Sequence, residues 1–229
     1  MPRIARFTID NGTYHILLRG NGKKDIFHEN RDFSAFISIL KKDKDACGIK
    51  IFHYVLMSNH IHLILQAEEG AGLSQYIKKI TVKYVNYYRK KYGGVGHFFQ
   101  DRFKSILIEN GIYLLESGRY AELNPVKAGI VKEPGDYKWS SHAYYASGEY
   151  NSLISPDPEY LGLSNDSERR IELYVKFISD GADEKRSEAR MFRDGVFGSK
   201  SFRESMKKEG LKPRRFLKGR PKKEEKTGE

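Results

Sequence analysis

Two apolar runs, residues 49–57 and 61–66, are separated only by Ser58-Asn59-His60, and this spacing constrains the fold more than any other feature. Runs so short and so close together cannot be helices, so the spacing predicts two strands joined as a hairpin. A third short run, residues 13–19, ends at Gly20-Asn21-Gly22, and a fourth strand is expected over 103–109. Between them, Phe33, Phe36, Ile37 and Leu40 recur at helical spacing within residues 31–46, with Gly48 placed to cap the helix. Residues 73–92 carry a second apolar and aromatic stripe (Ile77, Ile80, Tyr84, Tyr87, Tyr88) and stop at Gly93-Gly94. The order strand, helix, strand, strand, helix, strand predicts an α+β fold. It is a ferredoxin-like or RRM-like antiparallel sheet with helices on one face. RNA-recognition modules share that layout, so the fold alone does not settle function.

An extra helix is expected over 112–123, closed by Pro125, which cannot donate within a helix. Past Trp139 the pattern changes. Helices are expected over 164–178, with Ile171, Tyr174, Val175 and Ile178 as the buried stripe, and over 199–209. Gly195 and Gly198 leave room for a weak helix–turn–helix pattern. Residues 212–229 are polar and basic, as in a tail that is disordered when free. The expected division is a catalytic domain over 1–148, a helical extension over 149–210 and a basic tail over 211–229.

The formal charge of +11, with a pI near 9.5, favours a polyanionic partner such as nucleic acid. A single cysteine, Cys47, excludes an intrachain disulfide and a cysteine-based metal site. No apolar h-region follows Met1, and no apolar run approaches the roughly 20 residues that span a bilayer. A soluble, cytoplasmic, nucleoid-associated protein is expected.

His60-Ile61-His62 is the first chemical signal. Residues two apart in a strand point to one face, so both imidazoles can reach one divalent ion. Tyr120 and Asn124 are the second signal. Four apart on a helix, they share a face and present a phenol beside a hard amide oxygen. Taken separately, each pair is compatible with ordinary packing and capping. Their roles are complementary, because a phenol with a pKa of about 10 attacks a phosphodiester only with help at the phosphate. Two imidazoles and an amide oxygen would leave open positions on Mg²⁺ or Mn²⁺. Among the other tyrosines, Tyr113 has only Ser117 four residues on, while Tyr84, Tyr87 and Tyr88 lie on the earlier helix. His15, His28, His53, His97 and His142 show no same-face partner at metal spacing and are expected to be structural or surface groups.

Met57-Ser58-Asn59-His60-Ile61-His62 resembles the His-hydrophobe-His motif of single-strand DNA endonucleases. The stretch from Gly118 to Gly129, with Tyr120, Asn124 and Pro125, is similar to the tyrosine motif of the REP-associated tyrosine transposases, domesticated relatives of single-tyrosine insertion-sequence transposases. Tyr14-His15-Ile16, Arg19-Gly20-Asn21 and Phe99-Gln100-Asp101-Arg102-Phe103-Lys104-Ser105 add to the resemblance, which spans about residues 3 to 145. It implies a metal-dependent transposase that binds hairpin DNA and cleaves and rejoins single strands through a 5′-phosphotyrosine on Tyr120. His60, His62 and Asn124 would hold Mg²⁺ or Mn²⁺. Asn124, where insertion-sequence relatives carry Gln, points to the domesticated branch. A monomer or a homodimer is compatible with the resemblance.

Arg3, Arg6, Arg19, Lys23, Lys24, Gln100, Arg102, Lys104 and Arg119 are candidate DNA contacts. Arg220 joins them in the tail, where Lys218-Gly219-Arg220-Pro221 resembles an AT-hook core, although a nonspecific electrostatic clamp fits the same residues. Two rival readings use this residue set. One is a non-catalytic hairpin-binding protein or regulator on an RRM-like sheet. The other is a hydrolytic metal nuclease in which water attacks and Tyr120 only positions.

Overall fold

The computed structural model describes residues 6–181, 192 and 195–211. Arg3, Arg220 and the AT-hook-like tail lie outside the described residues. Four strands, β1 (Gly12–Arg19), β2 (Ile49–Met57), β3 (His60–Ala67) and β4 (Lys104–Ile108), form one sheet in the order β2-β3-β1-β4. All three of these pairings are antiparallel. This is the expected ferredoxin-like order. A two-residue strand, β5 (Val196–Phe197), adds to β4 in parallel and makes the sheet mixed. It stands where the weak helix–turn–helix pattern was read, directly ahead of a helix over Lys200–Lys208.

Central strands β1 and β3 are buried along nearly their whole length, so both sheet faces must be covered. Helices α1 (Asn30–Lys44) and α2 (Gly70–Tyr92) cover one face, as expected. Tyr14, Ile16, Leu18, Ile61, Leu63 and Leu65 alternate onto that face and join one core with Phe36, Leu40, Leu73, Tyr76 and Ile77. Each such Leu or Ile contributes roughly 1.5–3 kcal/mol by leaving water. Asp32 fixes the mouth of this layer, accepting from Lys91, Tyr87 and Tyr92. Among the described residues no helix is long and apolar enough to cross a membrane.

The extra helix α3 (Ile112–Glu122) lies on the opposite face, against β2 and β3. Its approach is close because Gly118 carries no side chain: a Cβ there would meet His53 Nε2 at 2.7 Å. The helix breaks at Leu123, and Asn124 opens a separate short turn, α4 (Asn124–Lys127), with Pro125 in its first positions. Asn124 therefore begins a new turn and does not sit in the last turn of α3. Beyond it, α5 (His142–Ser147), α6 (Pro158–Leu161) and α7 (Ser167–Asp180) pack behind α3, and the helix over Lys200–Lys208 is α8.

Candidate active site

The face of the sheet beneath α3 carries the histidines. His60 and His62 alternate with Ile61, and their ring centroids are 5.0 Å apart. His60 Nδ1 lies 2.6 Å from Asn59 Oδ1. An amide oxygen only accepts, so Nδ1 carries the proton and Nε2 the lone pair. His62 is fully buried, and its Nε2 has no hydrogen-bond partner. A buried ring nitrogen without a partner is costly unless something else engages it, and a cation fits that requirement.

His15 completes the group. From the neighbouring strand its Nε2 reaches His62 Nδ1 at 2.8 Å, in a fully buried contact. The expectation that His15 lacks a same-face partner is corrected here. The pairing of β1 with β3 sets His15 opposite Ile64 and Leu17 opposite His62, so His15 and His62 are diagonal neighbours on one face. Burial, and then the charge of His53, lowers the His15 pKa to about 3. Burial and the nearby Arg19 lower that of His60 to about 4. Burial, His15, His60 and Arg19 push His62 well below the usual range. All three imidazoles are thus neutral near pH 7, the form that ligates a metal.

Tyr120 projects from α3 toward this group. It is buried, and its ring centroid lies 6.0 Å from that of His62 and 5.9 Å from that of His15. The ammonium of Lys127 sits 5.6 Å from the centre of the Tyr120 ring. One turn on, the Asn124 amide donates to Tyr120 O at 2.7 Å and to Ala121 O at 3.2 Å. Both contacts use the amide nitrogen as donor, so Oδ1 is the acceptor of this side chain. Among the described residues no cluster of three or more His, Cys, Asp or Glu forms a metal site. Of the competing tyrosines, Tyr84 donates to Ile26 O and Tyr87 to Asp32.

Of the expected DNA contacts, Arg19 pairs across the strands with His60, and Lys104 pairs with Leu17. Leu17, Arg19, Gln100, Asp101, Arg102, Phe103 and Lys104 line one pocket beside the histidines. Lys23 and Lys24 are exposed on the turn after β1. Arg6 and Arg119 both make intrachain contacts. Arg6 donates to Phe103 O at 2.7 Å and lies over the Phe103 ring. Arg119 donates to Phe177 O at 3.2 Å and lies over the Phe177 ring.

A second polar cluster, unnoticed in the sequence, lies behind α3. Glu122 is fully buried and bonded to His53, Ser141, His142 and Tyr174. Burial alone would raise the Glu122 pKa, but hydrogen bonds from His142 and His53 and their charge bring it down to about 2. Burial would lower the His53 pKa, yet Asp157 and Glu122 on its two nitrogens raise it to about 9. A carboxylate within a helix reads as a surface charge, so no local pattern points to this cluster.

The family described as "Transposase IS200 like" matches residues 8–122, a segment running from the approach to β1 through the whole of α3. The chain belongs to the IS200-like transposase family. Among solved structures it is similar to the REP-associated tyrosine transposase bound to a REP hairpin. The likeness has a TM-score of 0.55 at 24% identity and covers 69% of this chain and 93% of that one. At that identity the likeness speaks for the shared fold. No curated protein matches.

Proposed function

We propose that this transposase is a metal-dependent single-strand DNA transesterase that binds hairpin DNA and cleaves and rejoins it through a 5′-phosphotyrosine on Tyr120. The observation that carries the reading is the placement of Tyr120 beside two buried imidazoles, His15 and His62, the latter with an unpartnered Nε2. His60 Nε2, His62 Nε2 and Asn124 Oδ1 would hold a Mg²⁺ or Mn²⁺ ion. Such an ion would supply Lewis acidity at the phosphate.

The chain's own residues supply the rest. Tyr120 Oη forms the new bond to phosphorus and gives up its proton. The bond from phosphorus to the departing 3′ oxygen breaks, and that oxygen takes up a proton as a 3′-hydroxyl. Lys127 puts positive charge beside the phenol. His15 would orient His62: with Nδ1–H of His62 donating to His15 Nε2, the buried His62 Nε2 would keep its lone pair for a cation. The pocket that Arg19, Gln100, Arg102 and Lys104 help to line offers donors suited to strand phosphates, which supports these residues as DNA contacts. The REP-hairpin-bound relative supports hairpin DNA as the ligand class.

Metal-stripped protein incubated with labelled single-stranded hairpins drawn from around its own gene tests this reading. EDTA should abolish, and Mn²⁺ or Mg²⁺ restore, a protein–DNA adduct that survives a denaturing gel. Tight hairpin binding with no adduct under either metal would favour the non-catalytic regulator. A free 5′-phosphate without an adduct would favour the hydrolytic nuclease.

A further inference from the structure

Glu122 lies two residues past Tyr120, fully buried, where an apolar side chain would pack more cheaply. Its carboxylate accepts four hydrogen bonds. Oε1 accepts from His53 Nδ1 at 3.0 Å and Ser141 Oγ at 2.7 Å. Oε2 accepts from His142 Nδ1 at 2.8 Å and Tyr174 Oη at 2.9 Å. None of these donors is on α3, and Ser141, His142 and Tyr174 all lie past residue 122, where the family match ends. At about 100° per residue, Glu122 points away from the side on which Tyr120 meets the histidines.

We infer that Glu122 is a positioning residue: its buried contacts peg the end of α3 and thereby hold Tyr120 against His15 and His62, so that residues 141–178 brace the nucleophile helix. The effect on rate rests on the transesterase reading above, whereas the pegging of α3 does not.

Further contacts place the restraint along the whole helix. At its start, Gly111 N–H donates to Glu159 Oε1 at 2.7 Å. Near its end, Arg119 reaches back to Phe177 of α7. On the sheet side, His53 stands under Gly118 and is itself held between Glu122 and Asp157. A tilt or slide of α3 would break hydrogen bonds to buried charged groups, each far dearer to lose than an apolar contact. A nucleophile displaced by about 1 Å can lose on the order of 100-fold in rate, so the peg acts on chemistry before it acts on binding.

Tyr174→Phe and Glu122→Gln in the full chain test this. Tyr174→Phe deletes one hydrogen bond to Glu122 and almost no volume. Amide hydrogens of α3 should exchange about tenfold faster in both variants, with β1 and β3 protection unchanged. At saturating hairpin with Mn²⁺, the rate of adduct formation should fall about threefold in Tyr174→Phe and about tenfold or more in Glu122→Gln. The hairpin concentration for half-maximal rate and the Mn²⁺ affinity should stay within about twofold. Unchanged α3 exchange, or losses of rate, hairpin binding and sheet protection in parallel, would overturn the inference. Should the wild-type protein form no adduct with any metal, the transesterase reading fails, and α3 exchange by itself decides whether the brace exists.

Discussion

His15 Nε2 and His62 Nδ1 meet at 2.8 Å in the buried interior, from adjacent strands, 47 residues apart in sequence. Under the proposed metal site, this contact would make His15 the partner that orients His62. Orienting partners of metal ligands are typically worth about 10- to 100-fold in metal affinity.

His15→Phe should therefore weaken Mn²⁺ binding by about 10- to 100-fold while the far-ultraviolet spectrum stays that of the wild type. Electron paramagnetic resonance titration of free Mn²⁺ measures this. An affinity unchanged within about twofold would remove His15 from the site.

Metal binding should also resist acid. An ordinary histidine pair protonates near pH 6.5, but His60 is held at about 4 and His62 lower still. These histidines stay neutral as pH falls, so Mn²⁺ affinity should be flat from about pH 8 down to about 5. A loss centred near pH 6.5 in the same titration would contradict the desolvated, Arg19-flanked setting of the pair.

Much of the fold was legible in the sequence because it rests on local patterning. The hairpin of residues 49–66, the helical stripes and the glycine stops at Gly48 and Gly93 all coincide with elements of the structure within a few residues. Strand β5 was not legible, because two residues carry no period. The candidate site was half legible as geometry. His60 with His62, and Tyr120 with Asn124, are short-range spacings. His15 joins them only through the β1–β3 register, which no local spacing encodes. Glu122 was hidden because its partners come from β2, α7 and the residues at the start of α5, and only the tertiary fold turns an apparent surface carboxylate inward.

The buried His53 makes stability depend on alkaline pH. Facing Glu122 and Asp157, its folded pKa of about 9 exceeds the ordinary 6.5. Its contribution is full below about pH 6.5 and is lost as pH rises through about 9. Urea unfolding between about pH 7.5 and 9.5 should show a decline on the order of 2 kcal/mol. His53→Gln, which has no proton to lose there, should flatten that slope. An equal slope in the variant would place the titration elsewhere.

Gly118→Ala probes the close approach of α3 to β2. Alanine would gain about 1 kcal/mol of helix propensity. Its Cβ would nonetheless sit 2.7 Å from His53 Nε2, and His53 cannot retreat from its two carboxylates. Overpacking of this kind costs roughly 1–3 kcal/mol. Calorimetry should show a lower Tm despite the better helix former; a raised Tm would mean that the helix can shift without cost.

The identity of the nucleophile is tested most directly by Tyr120→Phe, which removes one oxygen from a ring packed against His15 and His62. The variant should bind labelled hairpin DNA within about twofold of wild type, since no contact other than the phenol oxygen is lost. On a denaturing gel with Mn²⁺, the wild-type protein should show a covalent adduct and Tyr120→Phe none. An adduct of undiminished yield in Tyr120→Phe would contradict the assignment of Tyr120.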